Sequence, residues 1–269
     1  MPQRAPFAVL RSSLAVLAML ATGALTPIGP AVAQTQAPEG CYPIPEVKPL
    51  SVSQPLNIDL IKQQLLYYRC AHYDSEVAAV YSDAQRWVQA RAPQVSKPAV
   101  VLDIDETSLS NWTRIKRDDF AYIPNGPCDL SAQGVACGDI AWQKSGLAPA
   151  LQPALDLFNF AKCSAQQPAG TTCTKVAVFF VTGRTQGAEH QKSTETNLTN
   201  AGYRDWDGLY MRDPATHGQP VSEHKTKARI DIESRGFTII ANIGDQDSDL
   251  AGDHAERKFK VPNPFYFIP

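Results

Sequence analysis

Residues 99–108 read Ala-Val-Val-Leu-Asp-Ile-Asp-Glu-Thr-Ser, an apolar run that ends in carboxylates at positions i and i+2. The run predicts a buried strand. Residues i and i+2 of a strand point to the same side, so Asp103 and Asp105 would leave its end as a pair. One such carboxylate can attack a substrate while the other handles a proton, and both can help to hold a hard cation. The alternative is a solvated acidic turn, and this stretch alone does not decide between the two.

The rest of the chain alternates between strand-like and helical patterns. Strand-like runs occur at Ala99–Leu102, Val176–Val181, Gly208–Met211, Phe237–Ile243 and Phe259–Val261, with helical patterns between them at about 151–162, 188–200 and 222–235. The last helical pattern stops before Gly236, a suitable C′ residue. The alternation predicts an α/β fold in which helices flank a parallel sheet.

Two further segments lie outside this rhythm. Residues 57–97 show two apolar helical stripes, Ile58-Ile61-Leu65 and a second one from Val77 to Val88, which predict packing helices. Residues 111–147 interrupt the alternation and predict a small inserted cap, whose aromatic residues either roof a site or pack in the core. We therefore expect N-terminal helices at 57–97 and a core at 98–269.

The first 33 residues have the pattern of a secretory signal peptide. Arg4 and Arg11 form a positive n-region, residues 14–25 form an apolar h-region, and residues 31–33, Ala-Val-Ala, offer a cleavage site. The h-region is too short to span a bilayer, so we expect no stable membrane anchor, with an uncleaved anchor as the alternative. Residues 34–56 would form an extended leader. The pattern predicts export, to the periplasm or beyond it.

Cysteine content and charge narrow the class of protein. An even set of six cysteines in an exported chain predicts disulfides. Fifteen pairings are possible. Proximity in sequence favours Cys128–Cys137 and Cys163–Cys173, which leaves Cys41–Cys70. A zinc site is the rival, but no C-x-x-C is present. The net charge of −2 gives no basic stripe for a nucleic acid polymer, and nothing predicts an oligomeric state.

Polar residues follow three of the predicted strands. Asp103 and Asp105 follow the first, Thr182-Gly183-Arg184 the second, and Gly244-Asp245 a later one, with Asp249 four residues on and Lys225 near the start of the preceding helix. Each group alone is typical of a turn or a solvated charge. Ligands of open parallel sheets bind outside the carboxyl ends of the strands. Together these residues therefore suit phosphoryl transfer, with carboxylates for Mg²⁺ and Thr and Lys for phosphoryl oxygens.

Four ordered motifs and a closing segment resemble the haloacid dehalogenase (HAD) superfamily, which implies a Rossmann-like sheet. More narrowly, the chain resembles the secreted acid phosphatases (bacterial class B and C enzymes and plant acid phosphatases) and the plant vegetative storage proteins. The matching stretches are residues 100–111, 180–184, 224–229, 244–250 and 259–266, and the resemblance covers roughly residues 57–269. His224 and Thr226 depart mildly from the Tyr-Lys-Ser pattern of the third motif.

The resemblance implies a role for each matching residue. Asp103 would be the nucleophile that forms an aspartyl-phosphate, and Asp105 would protonate the leaving oxygen and then activate water, which requires Asp105 to be protonated when Asp103 is not. The Asp103 and Asp245 side chains and the Asp105 backbone carbonyl would bind Mg²⁺. Thr182, Gly183 and Lys225 would hold the substrate phosphate, with Asp249 and Arg184 in support.

The sequence thus predicts an exported, Mg²⁺-dependent acid phosphatase acting on small phosphate monoesters. The alternative is a secreted storage or binding protein that keeps the fold without turnover; the nucleophile Asp103, which is present, discriminates against it. A receiver-like signalling domain is disfavoured by export and six cysteines, and a dehalogenase by the acidic residue at position 105.

Overall fold

The computed structural model describes residue 41, residues 53–164 and residues 173–268. The expected signal peptide at 1–33 lies outside these residues, as does the expected leader at 34–56 apart from residues 41 and 53–56. No helix in the described ranges is long and apolar enough to cross a membrane.

Five parallel strands form one sheet. They are β1 (Pro98–Leu102), β2 (Ala177–Thr185), β3 (Gly208–Arg212), β4 (Thr238–Gly244) and β5 (Lys258–Lys260). The strand order is β3-β2-β1-β4-β5, so β1 is central and pairs with β2 and β4. The register places Leu102 beside both Phe180 and Ile243. The residues that follow β1 are therefore flanked by the ends of its two neighbours.

Eight α-helices accompany the sheet in the described residues. They are α1 (Ile58–Ala71), α2 (Tyr73–Arg91), α3 (Trp112–Arg117), α4 (Asp139–Ser145), α5 (Gln152–Ala161), α6 (Ala188–Asn200), α7 (Val221–Ser234) and α8 (Asp247–Leu250). The predicted strands and the helices near 151–162, 188–200 and 222–235 are confirmed, and Gly236 follows α7 with a φ of +84° as a C′ glycine does. The expected α/β fold is thus the observed one.

Alternate residues of β1 face two separate hydrophobic cores. Val100 and Leu102 belong to the larger core, with buried residues of α2 and α5. Ala99 and Val101 belong to a smaller core with residues of α7. Because both faces of the strand are covered, β1 is apolar throughout and its first polar side chain appears where it ends, at Asp103.

The packing expected of α1 is only partial, and the expected end of β2 needs correction. Leu65 and Tyr68 of α1 pack against the larger core, but no residue of α1 is buried, and Ile58 is 64% exposed. The strand β2 extends past Val181 to Thr185, so that residues 182–184 lie within it rather than after it. Pairing with β3 shifts register between Val181 and Thr185, which is an irregularity that the sequence pattern of one strand cannot reveal.

Three disulfides join Cys41 to Cys70, Cys128 to Cys137 and Cys163 to Cys173, which confirms the pairing favoured by proximity. No cysteine is left free to bind zinc. The predicted insertion contains α3 and α4, and its aromatic residues are divided between core and surface. Trp142 is fully buried, whereas Tyr122 is 71% exposed.

Candidate active site

Asp103 lies at the end of the central strand, in a buried position. Its backbone N–H donates to Ile243 O at 3.0 Å, which extends the pairing of β1 with β4 by one residue. The Ser108 hydroxyl donates to the Asp103 carbonyl at 2.6 Å and so closes the loop that follows the strand. The Lys225 ammonium donates to Asp103 Oδ1 at 2.5 Å. The backbone of Asp103 is therefore held by β4 and by the loop after β1, and its carboxylate, the proposed nucleophile, is held by Lys225 of α7.

Three buried carboxylates meet at this edge of the sheet. Oxygen atoms of Asp103, Asp245 and Asp249 all lie within 4.8 Å of one another. Lys225 also donates to Asp249 Oδ1, while Asp249 Oδ2 accepts from Gln246 N at 2.8 Å. A Cβ at position 244 would overlap the Asp249 side chain, so the close approach requires glycine there. The strand-end rule correctly brought Asp103, Asp245, Asp249 and Lys225 together.

The electrostatics of this cluster reflect an excess of buried negative charge. Burial raises the pKa of Asp103 well above its usual range, and Asp249 and Asp245 raise it further, against the opposing charge of Lys225. Burial and the charge of Asp249 raise the pKa of Asp245 to about 7. Burial opposes the charge of Lys225, but Asp103 and Asp249 still raise its pKa. One ammonium therefore balances three carboxylates only in part, and hard cations favour such oxygen ligands.

Asp105 has different partners. Arg184 donates to it through two nitrogens, Nε to Oδ2 at 3.0 Å and Nη2 to Oδ1 at 2.7 Å. Burial would raise the pKa of Asp105, but the charge and hydrogen bonds of Arg184, together with a hydrogen bond from Asn111, hold it below its usual value. The carboxylate of Asp105 is thus an ion-pair partner and is not one of the three clustered side chains.

The expected order of protonation of these two carboxylates stays a prediction. The proposed chemistry required Asp105 to be protonated when Asp103 is ionised, whereas the pKa shifts in the protein without metal run the other way. The physical reason is that Asp105 has a buried guanidinium of its own, while Asp103 shares one ammonium with two further carboxylates. Metal binding through the Asp105 backbone carbonyl stays a prediction.

The motif Thr182-Gly183-Arg184 lies in the irregular part of β2. Thr182 is fully buried, and its hydroxyl accepts from Arg184 N at 3.1 Å. A Cβ at position 183 would meet only Val221 Cγ1, at 3.5 Å, so space alone does not require glycine there. Arg184 is buried against Asp105, which agrees with its expected supporting position.

Comparison with known proteins decides the family. Residues 54–269 match the model of HAD superfamily, subfamily IIIB (acid phosphatase). The chain belongs to this acid phosphatase family.

Individual relatives agree with this membership. The chain is 34% identical over 169 residues to acid phosphatase 1 of Solanum lycopersicum, which covers 62% of this chain and 58% of that protein. It is 32% identical over 206 residues to the stem 28 kDa glycoprotein of Glycine max, which covers 75% of this chain and 72% of that protein. The class C acid phosphatase from Bacillus anthracis has the same fold, with a TM-score of 0.55 and 20% identity over 77% of this chain and 86% of that one.

Sequence analysis of this acid phosphatase family member assigned no role to several residues that contact the site. Asn111 donates to Asp105, and Glu106 accepts from the Tyr266 hydroxyl at 3.1 Å. Asn263 Nδ2 donates to Asp245 Oδ2 at 2.7 Å. These residues stand in the first motif and the closing segment, so the motif stretches themselves were the available signal. Their partners depend on side-chain directions that a linear pattern does not contain.

Proposed function

We propose that this protein is an exported, Mg²⁺-dependent acid phosphatase that hydrolyses small-molecule phosphate monoesters through an aspartyl-phosphate on Asp103. The observation that carries the proposal is the position of the Asp103 carboxylate, which is buried at the end of the central strand with Lys225 at 2.5 Å. Membership of the acid phosphatase family supports the same activity.

The donor set fits a divalent cation. The Asp103 and Asp245 side chains and the Asp105 backbone carbonyl would hold Mg²⁺, with Asp249 supporting Lys225. The fit rests on two observations: the donors are hard oxygen ligands, and three buried carboxylates face one ammonium. When bound, the cation would supply positive charge for the phosphoryl oxygens.

Asp103 would attack the phosphorus atom and form the aspartyl-phosphate. The Thr182 hydroxyl, the Gly183 backbone N–H and the Lys225 ammonium would bind the phosphoryl oxygens. Lys225 suits this task because its positive charge lies beside the attacking oxygen of Asp103. There it would offset the repulsion between the carboxylate and the negatively charged phosphate. Burial of Asp103 removes water that would otherwise weaken these interactions.

Asp105 would take up a proton before the first step, deliver it to the leaving oxygen, and then accept a proton from the water that hydrolyses the intermediate. Arg184 would orient this carboxylate through its two hydrogen bonds. The two carboxylates of the first motif would therefore have separate tasks, one covalent and one acid–base.

The decisive test is Asp103→Asn, assayed with p-nitrophenyl phosphate. An amide is a poor nucleophile, so kcat/KM should fall by about 10³-fold or more, while the circular dichroism spectrum stays native. EDTA should silence the wild type and Mg²⁺ should restore it. The surface variant Asp83→Asn is the matched control, because Asp83 pairs only with exposed arginines. Full activity of Asp103→Asn would exclude the aspartyl-phosphate route.

The competing function is storage or binding without turnover. Vegetative storage protein 2 of Arabidopsis thaliana is 38% identical to this chain, over 76 residues, which is 28% of each. A purified wild type that hydrolyses no phosphate monoester in the presence of Mg²⁺ would favour this alternative.

Export remains part of the proposal. Its support is the set of three disulfides, because such bonds persist in oxidising compartments. We propose that a signal peptide at residues 1–33 directs the chain to the periplasm or the exterior, where it acts without a stable membrane anchor or a nucleic acid partner.

A further inference from the structure

The side chain of Asn111 bridges two acidic residues and an indole in the interior of the site. Its Nδ2 donates to Asp105 Oδ1 at 2.9 Å and to Glu106 Oε2 at 2.8 Å. Its Oδ1 accepts from Trp142 Nε1 at 2.6 Å. Asn111 is only 3% exposed, so these bonds form out of contact with solvent. Because both Nδ2 and Oδ1 of this buried amide are hydrogen-bonded, the position of the Asn111 side chain is fixed.

Trp142 sets the orientation of this amide. An indole N–H can only donate, so the atom that faces it must be the amide oxygen. The NH₂ group then faces the two carboxylates, which can only accept when ionised. In a flipped amide, the oxygen of Asn111 would face the two carboxylates and its NH₂ group would face the indole N–H of Trp142. Chemistry therefore permits one orientation.

The neighbouring Glu106 adds a backbone constraint. It has a left-handed φ of +52° and is 1% exposed. Its carboxylate accepts from both the backbone N–H and the Nδ2 of Asn111, at 2.5 and 2.8 Å. A non-glycine residue keeps this conformation only when its surroundings hold it there. Asn111 thus fixes the turn that contains Asp105 as well as the Asp105 carboxylate.

We propose that Asn111 is the positioning residue of the acid–base step, acting through Asp105. This inference rests on the proposed function, in which Asp105 protonates the leaving oxygen. Arg184 and Asn111 together place three donors on the two Asp105 oxygens, so rotation of the carboxylate breaks at least one hydrogen bond. Trp142, which lies in α4, extends the same network into the inserted segment.

A positioning role has a kinetic signature that depends on the leaving group. Phenolate, whose conjugate acid has a pKa of about 10 like that of tyrosine, needs a proton as it leaves, whereas p-nitrophenolate is a much better leaving group. Misplacing Asp105 should therefore reduce kcat/KM for phenyl phosphate far more than for p-nitrophenyl phosphate. A purely structural defect lowers both values by the same factor, because it lowers the amount of native enzyme.

The experiment compares Asn111→Ala with Asn197→Ala in the full-length mature protein with Mg²⁺. Asn197 is also a buried asparagine, but its Nδ2 donates to the Ala148 carbonyl at 2.7 Å, away from the carboxylates. We expect Asn111→Ala to lower kcat/KM about 30-fold or more for phenyl phosphate and about threefold for p-nitrophenyl phosphate, in line with the scale of general acid catalysis. Asn197→Ala should leave the ratio of the two values unchanged. Equal losses for both substrates, or no loss, would overturn the inference.

Trp142→Phe provides a second test if Asn111→Ala does not fold. It removes only the donor to Asn111 Oδ1, and we expect a selective loss for phenyl phosphate of about threefold to tenfold, within the cost of a small misplacement. Trp87→Phe is its control, since Trp87 Nε1 donates to the Ile240 carbonyl at 2.7 Å in another part of the core. An unchanged substrate ratio in Trp142→Phe would count against the inference.

Asp105→Asn separates this inference from the proposed function. A selective loss for phenyl phosphate in Asp105→Asn, with none in Asn111→Ala and Trp142→Phe, would reject only the positioning role. Equal losses for both substrates in Asp105→Asn would reject Asp105 as the acid and the inference with it.

Discussion

Asp103 and Asp105 are separated by one residue, yet they differ in every partner. Asp103 shares the Lys225 ammonium with Asp249, in a cluster where carboxylates outnumber cations. Asp105 has a guanidinium to itself and a further amide donor. Burial and neighbouring charge raise the pKa of Asp103 well above its usual range, while Arg184 overcomes burial and lowers that of Asp105. The difference shows that residues distant in sequence, Lys225 for Asp103 and Arg184 for Asp105, distinguish two carboxylates of one motif.

Removing the cation from the Asp103 side should have the largest effect. In Lys225→Met, two buried carboxylates lose their ammonium, and breaking a buried ion pair costs about 3–5 kcal/mol. We expect a lower free energy of unfolding in urea, measured in EDTA, by about this amount. Activity with Mg²⁺ should fall by about 10³-fold through loss of phosphoryl binding.

Lys227→Met is the control for this comparison. Lys227 lies two residues further along α7, is largely exposed, and approaches Glu223 only at 3.9 Å. The Lys227→Met variant should have the same free energy of unfolding and the same activity as the wild type. If Lys225→Met proved as stable as Lys227→Met, Lys225 would not be balancing the buried charge.

On the Asp105 side, Arg184→Lys should have an intermediate effect. Lysine keeps the charge, but its single nitrogen cannot reproduce the two-nitrogen fork that holds both Asp105 oxygens. We expect kcat/KM to fall by about 10- to 100-fold, with the larger loss for phenyl phosphate. Arg86→Lys, on the exposed face of α2, should leave kcat/KM unchanged for both substrates. Wild-type kinetics in Arg184→Lys would mean that charge alone suffices.

The last effect concerns Glu106, which lies beside Asp105, and it changes only the pH dependence of stability. Burial, followed by the charge of Asp105, raises the pKa of Glu106 from 4.5 to about 7. The pKa of Glu106 is higher in the folded protein than in the unfolded chain. The contribution of Glu106 to the free energy of unfolding is therefore fully present below about pH 4.5 and is lost as the pH rises through 7.

In Glu106→Gln this loss should be smaller, by up to about 3 kcal/mol between pH 4.5 and 7. Urea unfolding of the metal-free protein at several pH values measures it. The exposed variant Glu223→Gln should keep the wild-type slope. Parallel slopes for Glu106→Gln and the wild type would show that Glu106 is ionised throughout this range.

Much of the fold could be predicted because each strand of the sheet is a short apolar run covered by helices. The central strand is the clearest case, since Ala99 to Leu102 are all buried. The exposure of α1 was not predictable, because an apolar stripe does not reveal whether another element covers it. The extension of β2 to Thr185 was missed because it depends on irregular pairing with β3.

The candidate site divides in the same way. Asp103, Asp245, Asp249 and Lys225 could be placed together because the carboxyl ends of parallel strands share one edge. The pairing of Arg184 with Asp105 could not, since it requires the direction of a long side chain across that edge. The hydrogen bonds of Asn111 to Asp105, Glu106 and Trp142 could not be predicted either, because they depend on the direction of a buried side chain.

The hydrogen bonds from Asn263 to Asp245 and from Tyr266 to Glu106 bear on the order in which the protein can fold during its synthesis. The ribosome synthesises the chain from the N-terminus to the C-terminus. The strand β1, which Asp103 follows, therefore emerges long before Asn263 and Tyr266. Until residue 266 is free to fold, Asp245 and Glu106 each lack one of the groups that hold them. This edge of the sheet can therefore be completed only after all five strands and the closing segment have been synthesised.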